Sequence, residues 1–279
     1  MIPNFHIYIP VKNEEFLIKD TVQALMEVFP PQQITVIDIG STDMSIERLP
    51  EGVNIVHHEF PANKPAGRSY TDMKNEYSRR QRWVFWVDGD EIYTTESLLL
   101  IKDWLLKIPD APIENRQYLE IFWKMFKRDG PSGESYAVAN EYVRGGEKIF
   151  NSDLYEFRKP WPAEAVAFRG EAVTGIKNPR HKSEIRHQFN GVWCWHGVTL
   201  TSRSSVSDTA RNKKFQSKYH KYNNNLTWTE IPRLPWYANL PHQADYHENT
   251  PETWKVWTVD DVVYLTGVGY SQRLKSEVV

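Results

Sequence analysis

The stretch Trp83-Val84-Phe85-Trp86-Val87-Asp88-Gly89-Asp90-Glu91 joins five apolar residues directly to a turn rich in carboxylates. A continuous apolar run of this kind suits a strand buried on both faces, as in a parallel sheet covered by helices on either side. Its sudden end in Asp88-Gly-Asp-Glu puts charge at the carboxyl end of a strand, where open α/β sheets bind their ligands. Gly89 lets a short turn present Asp88 and Asp90 on one side. Hard oxygen donors so placed suit Mg²⁺ or Mn²⁺. An isolated Asp-x-Asp is most often a solvated turn; the apolar strand before it is what ties this one to a sheet rim.

Working outward, strand and helix signals alternate. Phe5–Ile9 is a β-prone run stopped by Pro10. Glu14–Phe29 reads as a helix, because Ile18, Val22, Leu25, Met26 and Phe29 repeat on one face, and Pro30-Pro31 ends it. Ile34–Ile37 is the next strand, followed by Gly40-Ser41-Thr42-Asp43 as a turn and helix cap. Val53–His57 is a third strand, and Ala66–Arg80 and Leu98–Ile108 read as helices. This alternation predicts an α/β fold with a mostly parallel, Rossmann-like central sheet flanked by helices. Three polar motifs fall at strand ends: Lys12-Asn13-Glu14-Glu15, Asp38, and the carboxylate turn.

The order Pro10-Val-Lys-Asn-Glu-Glu, Val36-Ile-Asp-Ile-Gly-Ser-Thr-Asp43 and Asp88-Gly-Asp-Glu91 resembles the nucleotide-binding half of family 2 glycosyltransferases, which have the GT-A fold. The resemblance covers about the first hundred residues. It implies a metal-dependent transfer of a hexosyl or pentosyl group from a nucleotide-diphosphate sugar, a UDP-sugar first among them, to an acceptor hydroxyl, with inversion. It implies that Pro10, Val11, Asn13, Glu14 and Asp38 border the nucleobase and ribose, with Arg68 and Asn75 approaching the nucleotide from the helix before the carboxylate strand. Asp88 and Gly89 would lie along the donor, with Asp90 as direct ligand of Mn²⁺ or Mg²⁺, Asp88 as a ribose or metal contact and Glu91 as a supporting acid. Ile39 stands where the commoner motif has a second acid. Further on, Glu156-Phe-Arg-Lys159, Gly170-Glu-Ala-Val173 and Trp195-His196 resemble a branch that includes lipopolysaccharide-core transferases. By that resemblance Glu171 is the general base, with Glu164 its rival, and His196 completes the metal site. The histidine that precedes the acid in that branch is missing before both glutamates.

The 279 residues suffice for one large domain with an elaborated tail. We expect a GT-A domain over 1–221, divided into donor (1–95) and acceptor (96–221) parts, and a Trp/Pro-rich extension over 222–279 packed on it. With a single cysteine, Cys194, no internal disulfide can form. The absence of a signal-like or long apolar run leads to the expectation of a cytoplasmic protein with no transmembrane segment, in a host cytoplasm if phage-encoded.

Residues 177–221 hold ten Lys/Arg against two acids. Such a block is usually a solvated surface, but it can also mark a polyanion-binding face. The acceptor is therefore read as a glycan or, alternatively, DNA carrying a hydroxymethylated base. In the second case Arg180, Arg186, Lys213 and Lys214 would meet phosphates, and Tyr219, Tyr222 and Trp228 would stack on bases. A nucleotidyltransferase is a further alternative, disfavoured because Pro10–Glu15 contains no glycine.

Overall fold

The computed structural model describes residues 2–107, 117–129, 135–158, 165–169, 185–197 and 228–231. Four strands form its parallel half: β1 (Phe5–Val11), β2 (Ile34–Asp38), β3 (Asn54–His57) and β4 (Trp83–Trp86) lie side by side in the order β3-β2-β1-β4. Helices α1 (Ile18–Met26), α2 (Ala66–Ser78) and α3 (Thr95–Lys107) cover this sheet. The α/β architecture expected from the alternation is the one observed.

Alternation along β1 explains the layering, since successive side chains point to opposite faces. Phe5, Ile7, Ile9 and Val11 join Ile34, Val36, Trp83, Phe85 and Val87 in one core with α1 and α3. Tyr8, Ile37, Val84 and Trp86 face the other way and pack with Met73 and Tyr77 of α2. Trp86 is buried, and its indole N–H donates to the Ser78 hydroxyl at 3.0 Å, which satisfies the one polar atom that burial would strand. Edge strand β3 is largely exposed, as its mixed polar sequence allows.

Beyond β4 the sheet becomes mixed. The further strands are β5 (Glu91–Tyr93), β6 (Gln117–Asp129), β7 (Ser135–Asn151) and β10 (Ile185–Gly197), in the full order β3-β2-β1-β4-β7-β6-β10-β5. β7 runs antiparallel to both β4 and β6, β10 parallel to β6, and β5 antiparallel to β10. A small hairpin of β8 (Tyr155–Arg158) and β9 (Ala165–Phe168) lies against α2. Strand β11 (Trp228–Ile231), within the expected tail, pairs with the first half of β7.

Element boundaries differ from the sequence expectation where loops are tied to one another. α1 begins at Ile18 rather than Glu14; residues before it form a turn in which the Leu17 amide donates to the Glu14 carbonyl at 3.1 Å, and the Ile18 amide donates to the same carbonyl at 3.0 Å. Gly40–Asp43 caps no helix. Asp43 instead closes a local turn by accepting from the Ser45 amide and hydroxyl at 3.0 and 2.5 Å. Among the described residues, no helix is long and apolar enough to cross a membrane.

Candidate active site

Two loops at the carboxyl ends of β1 and β2 are stitched together residue by residue. Asn13 adopts φ 59°, a left-handed conformation that asparagine tolerates better than most residues. Its side-chain oxygen accepts from the Thr42 amide at 2.7 Å, and its own amide donates to the Ser41 hydroxyl at 3.2 Å. The Glu14 amide donates to the Ser45 hydroxyl at 2.7 Å, and the Glu15 amide to Asp43 at 3.3 Å. Asn13 thus acts first as a loop fastener.

Asp38 ends β2 with both carboxylate oxygens engaged. One accepts from the Ser41 amide at 2.8 Å, and the other faces His57 Nδ1 at 3.0 Å. Burial works to raise its pKa, but the Ser41 and His57 hydrogen bonds outweigh burial and hold it below the ordinary carboxylate range. Asp38 is therefore a fixed anion at the rim. His57, brought alongside by the pairing of β2 with β3, has no distinguishing spacing in sequence.

The carboxylate turn sits on the same rim. The Glu91 amide donates to the Asp88 carbonyl at 3.0 Å, and the Glu91 carboxylate accepts back from the Asp88 amide at 3.1 Å. Thr21 of α1 donates to the Gly89 carbonyl at 3.0 Å. Gly89 is needed for packing and not for a left-handed backbone. A β-carbon there would lie 3.0 Å from Glu14 Cγ and 3.3 Å from its Cβ. Gly89→Ala is therefore expected to push the two loops apart and cost about 1–3 kcal/mol of overpacking strain, read as a lower midpoint in urea unfolding.

At the center of this turn is a residue that sequence reading missed. Lys148 is buried, and its ammonium lies 2.6 Å from Asp88 Oδ2 and 2.8 Å from Glu91 Oε1. Antiparallel pairing explains its arrival. β7 runs down β4 with Asn151 opposite Trp83 and Ile149 opposite Phe85, so the next residue reaches the carboxyl end of β4. Burial works against the charge on Asp88, but Lys148 and then Lys74 override it and hold Asp88 well below the carboxylate range. Burial pushes Glu91 up even with Lys148 alongside. Burial likewise opposes the Lys148 charge, and Asp88 and Glu91 more than restore it. Lys74 itself is buried among the rings of Tyr70, Trp86 and Phe157, 4.6–5.4 Å from their centroids, a cation–π setting.

His196 reaches the turn through β10, whose pairing with β5 places it opposite Glu91. Its Nε2 lies 3.9 Å from Asp90 Oδ1. The ring stacks on Trp123, centroids 4.4 Å apart and planes at 20°. The register of β10 on β6 sets Cys194 beside Trp123, so His196, two residues on, emerges on the same face. Trp123 is fixed in turn by its indole N–H, which donates to Glu91 at 2.8 Å. Nδ1 of His196 is buried and has no hydrogen-bond partner among the described residues.

Asp90 and His196 could offer a divalent cation one oxygen and one nitrogen donor. The Asp90–His196 gap is too long for a hydrogen bond and lets one ion touch both side chains. Among the described residues, no three His, Cys, Asp or Glu side chains converge closely enough to hold a metal alone. Two protein donors with the remaining ligands from phosphate and water is the habit of Mg²⁺ at nucleotide sites. Asp88, expected as an alternative ligand, is held by Lys148.

The other expected site residues are dispersed. Pro10 and Val11 end β1, with Val11 buried beneath Gly89. The Asn75 side-chain amide is paired with the Phe157 backbone in both directions, accepting at 2.7 Å and donating at 2.9 Å, which docks β8 on α2. Arg68 pairs with Asp72 at 3.2 Å and lines a cleft of about 580 Å³ along α2, with Lys64, Arg79 and Arg158. Arg186 lies on β10. Glu164, Glu171, Arg180, Lys213, Lys214, Tyr219 and Tyr222 lie outside the described residues.

No protein-family model matches the chain, and no curated protein matches it. Among solved structures it is similar to glucosyl-3-phosphoglycerate synthase from Mycobacterium tuberculosis in complex with Mg²⁺ and uridine diphosphate, at 20% identity and TM-score 0.31, covering 47% of this chain and 46% of that one. It is also similar to residues 1–349 of S. aureus TarS, at 20% identity and TM-score 0.33, covering 55% of this chain and 50% of that one. The match thus spans half or less of the length of those structures.

Proposed function

We propose that the chain is a metal-dependent glycosyltransferase that uses a nucleotide-diphosphate sugar. The observation that carries this reading is the pair Asp90 and His196, 3.9 Å apart, on the sheet rim where Asp38 ends β2 and Glu14 lies in the loop after β1. The motif order that resembles family 2 enzymes of GT-A fold supports the same reading. Asp90 and His196 would hold Mn²⁺ or Mg²⁺. When bound, such an ion offsets the negative charge that develops on the diphosphate leaving group.

The chain's own residues supply the rest. Asp38, kept anionic by Ser41 and His57, can accept a hydroxyl hydrogen bond from the donor's ribose. The sewn loops 11–15 and 38–45 form a rigid floor, so little ordering cost falls on binding. Inverting transfer needs a carboxylate to take the acceptor proton, and Glu171 or Glu164 is assigned to it on the resemblance described above. A hexose or pentose on a glycan hydroxyl is the substrate class we favor.

Thermal unfolding tests this reading, because a ligand that binds only the folded state stabilises it by about 2.7 kcal/mol at a hundred times its dissociation constant. We expect Mn²⁺ and UDP together to raise the midpoint more than the sum of either alone. No shift with any nucleoside diphosphate or nucleotide sugar, with or without metal, would discard the reading.

A further inference from the structure

Three acids occupy one turn of four residues, Asp88, Asp90 and Glu91. A divalent ion would normally draw on such a cluster as a whole. Here two of the three are already committed to a cation carried by the chain. The Lys148 ammonium contacts Asp88 at 2.6 Å and Glu91 at 2.8 Å. Glu91 accepts, besides, from the Asp88 amide, from Tyr93 at 3.3 Å and from Trp123 at 2.8 Å. Its oxygens are saturated, and the residue is fully buried. Asp90 stands outside this network, its side chain toward His196.

We propose that Lys148 is a positioning residue that makes metal binding conditional on the nucleotide diphosphate. The inference rests on the functional reading above. The Lys148 ammonium offsets the charge of Asp88 and Glu91 and occupies an oxygen of each, so an ion approaching Asp90 finds less negative charge and fewer open oxygens than three acids would provide. The protein then offers the ion one carboxylate and one imidazole. The shortfall in both charge and ligands is made up by the diphosphate, which carries the negative oxygens that Asp88 and Glu91 withhold. The same lysine acts on the second donor, since Lys148 fixes Glu91, Glu91 holds the Trp123 indole, and Trp123 stacks on the His196 ring. Metal and donor therefore enter as one unit, and the enzyme carries little metal between turnovers.

The test measures free Mn²⁺ by electron paramagnetic resonance, with and without UDP, in the full chain. Wild type is expected to bind Mn²⁺ at least about tenfold more tightly with UDP than without it, within the range that supporting residues exert on metal affinity. In Lys148→Met the hole left by the ammonium is lined by Asp88 and Glu91 oxygens. Mn²⁺ alone is then expected to bind at least about tenfold more tightly than to wild type, and the UDP dependence to collapse. If the single variant does not fold, Lys148→Met/Glu91→Gln, which keeps the net charge but frees the Asp88 oxygens, is expected to bind Mn²⁺ without UDP more tightly than wild type by a smaller factor. Mn²⁺ affinity without UDP that stays at or below wild type in the folded variant overturns the role of Lys148 while leaving the functional reading intact. Wild type that binds Mn²⁺ with neither UDP nor any other nucleoside diphosphate overturns both.

Discussion

Asp90→Asn is expected to reduce sugar transfer at least about a hundredfold, the scale seen when one preorganised electrostatic partner of a transition state is removed. The substitution keeps the size of the side chain and leaves the backbone contact from the Gly197 amide to the Asp90 carbonyl, 3.0 Å, in place. The fold should therefore survive, with an unfolding midpoint close to wild type. The loss should fall mainly on kcat at saturating donor, because the charge to be offset grows only as the bond to the sugar breaks. Transfer by Asp90→Asn at wild-type rates would remove Asp90 from the metal pair. His196→Ala should follow the same pattern, and the double variant should be little worse than either single one, because the two residues act as one unit.

Lys148→Met should instead act first on stability. It removes the ammonium that pairs with both Glu91 and Asp88, leaving two carboxylates facing each other. Breaking a buried ion pair from one side costs about 3–5 kcal/mol. The lower end, about 3 kcal/mol, applies here because the Asp88 side chain keeps 36% of its surface exposed and is partly screened by water. Lys148→Met/Glu91→Gln should recover a good part of that loss. Urea unfolding monitored by tryptophan fluorescence reads both. Equal midpoints for wild type and Lys148→Met would show that the buried pair contributes nothing to the fold. Added Mn²⁺ should restore the single variant more than it stabilises wild type, because an ion can take the place of the ammonium.

The parallel half was legible because its signals are local. Val84–Val87 is apolar without interruption, the face of α1 repeats within one segment, and each acidic motif follows its own strand directly. The carboxylate turn could be found for the same reason. Lys148 could not, since its role comes from the register of β7 against β4, and nothing in Gly-Gly-Glu-Lys-Ile-Phe distinguishes a buried lysine from an exposed one. Trp123 and His57 were hidden in the same way, each defined by a neighbor from a distant strand. Asn75 shows a different limit. A polar residue on a helix near a nucleotide motif suggests a ligand contact, yet its amide is spent as a backbone mimic for Phe157. Sequence reading also credited Gly89 with turning the chain, whereas the need is for room beside Glu14.

The rung that sets His196 opposite Glu91 also has a meaning in time. During synthesis the parallel strands and the acidic turn leave the ribosome well before β10, and local elements fold faster than those that close long loops. Asp90 is thus in place early and its neighbor His196 arrives late. The acidic turn is therefore neutralised in part only after β7 has docked and brought Lys148, and the proposed Asp90–His196 site is complete only once β10 has joined the sheet. A chain halted between these two events would hold its parallel half without the proposed site.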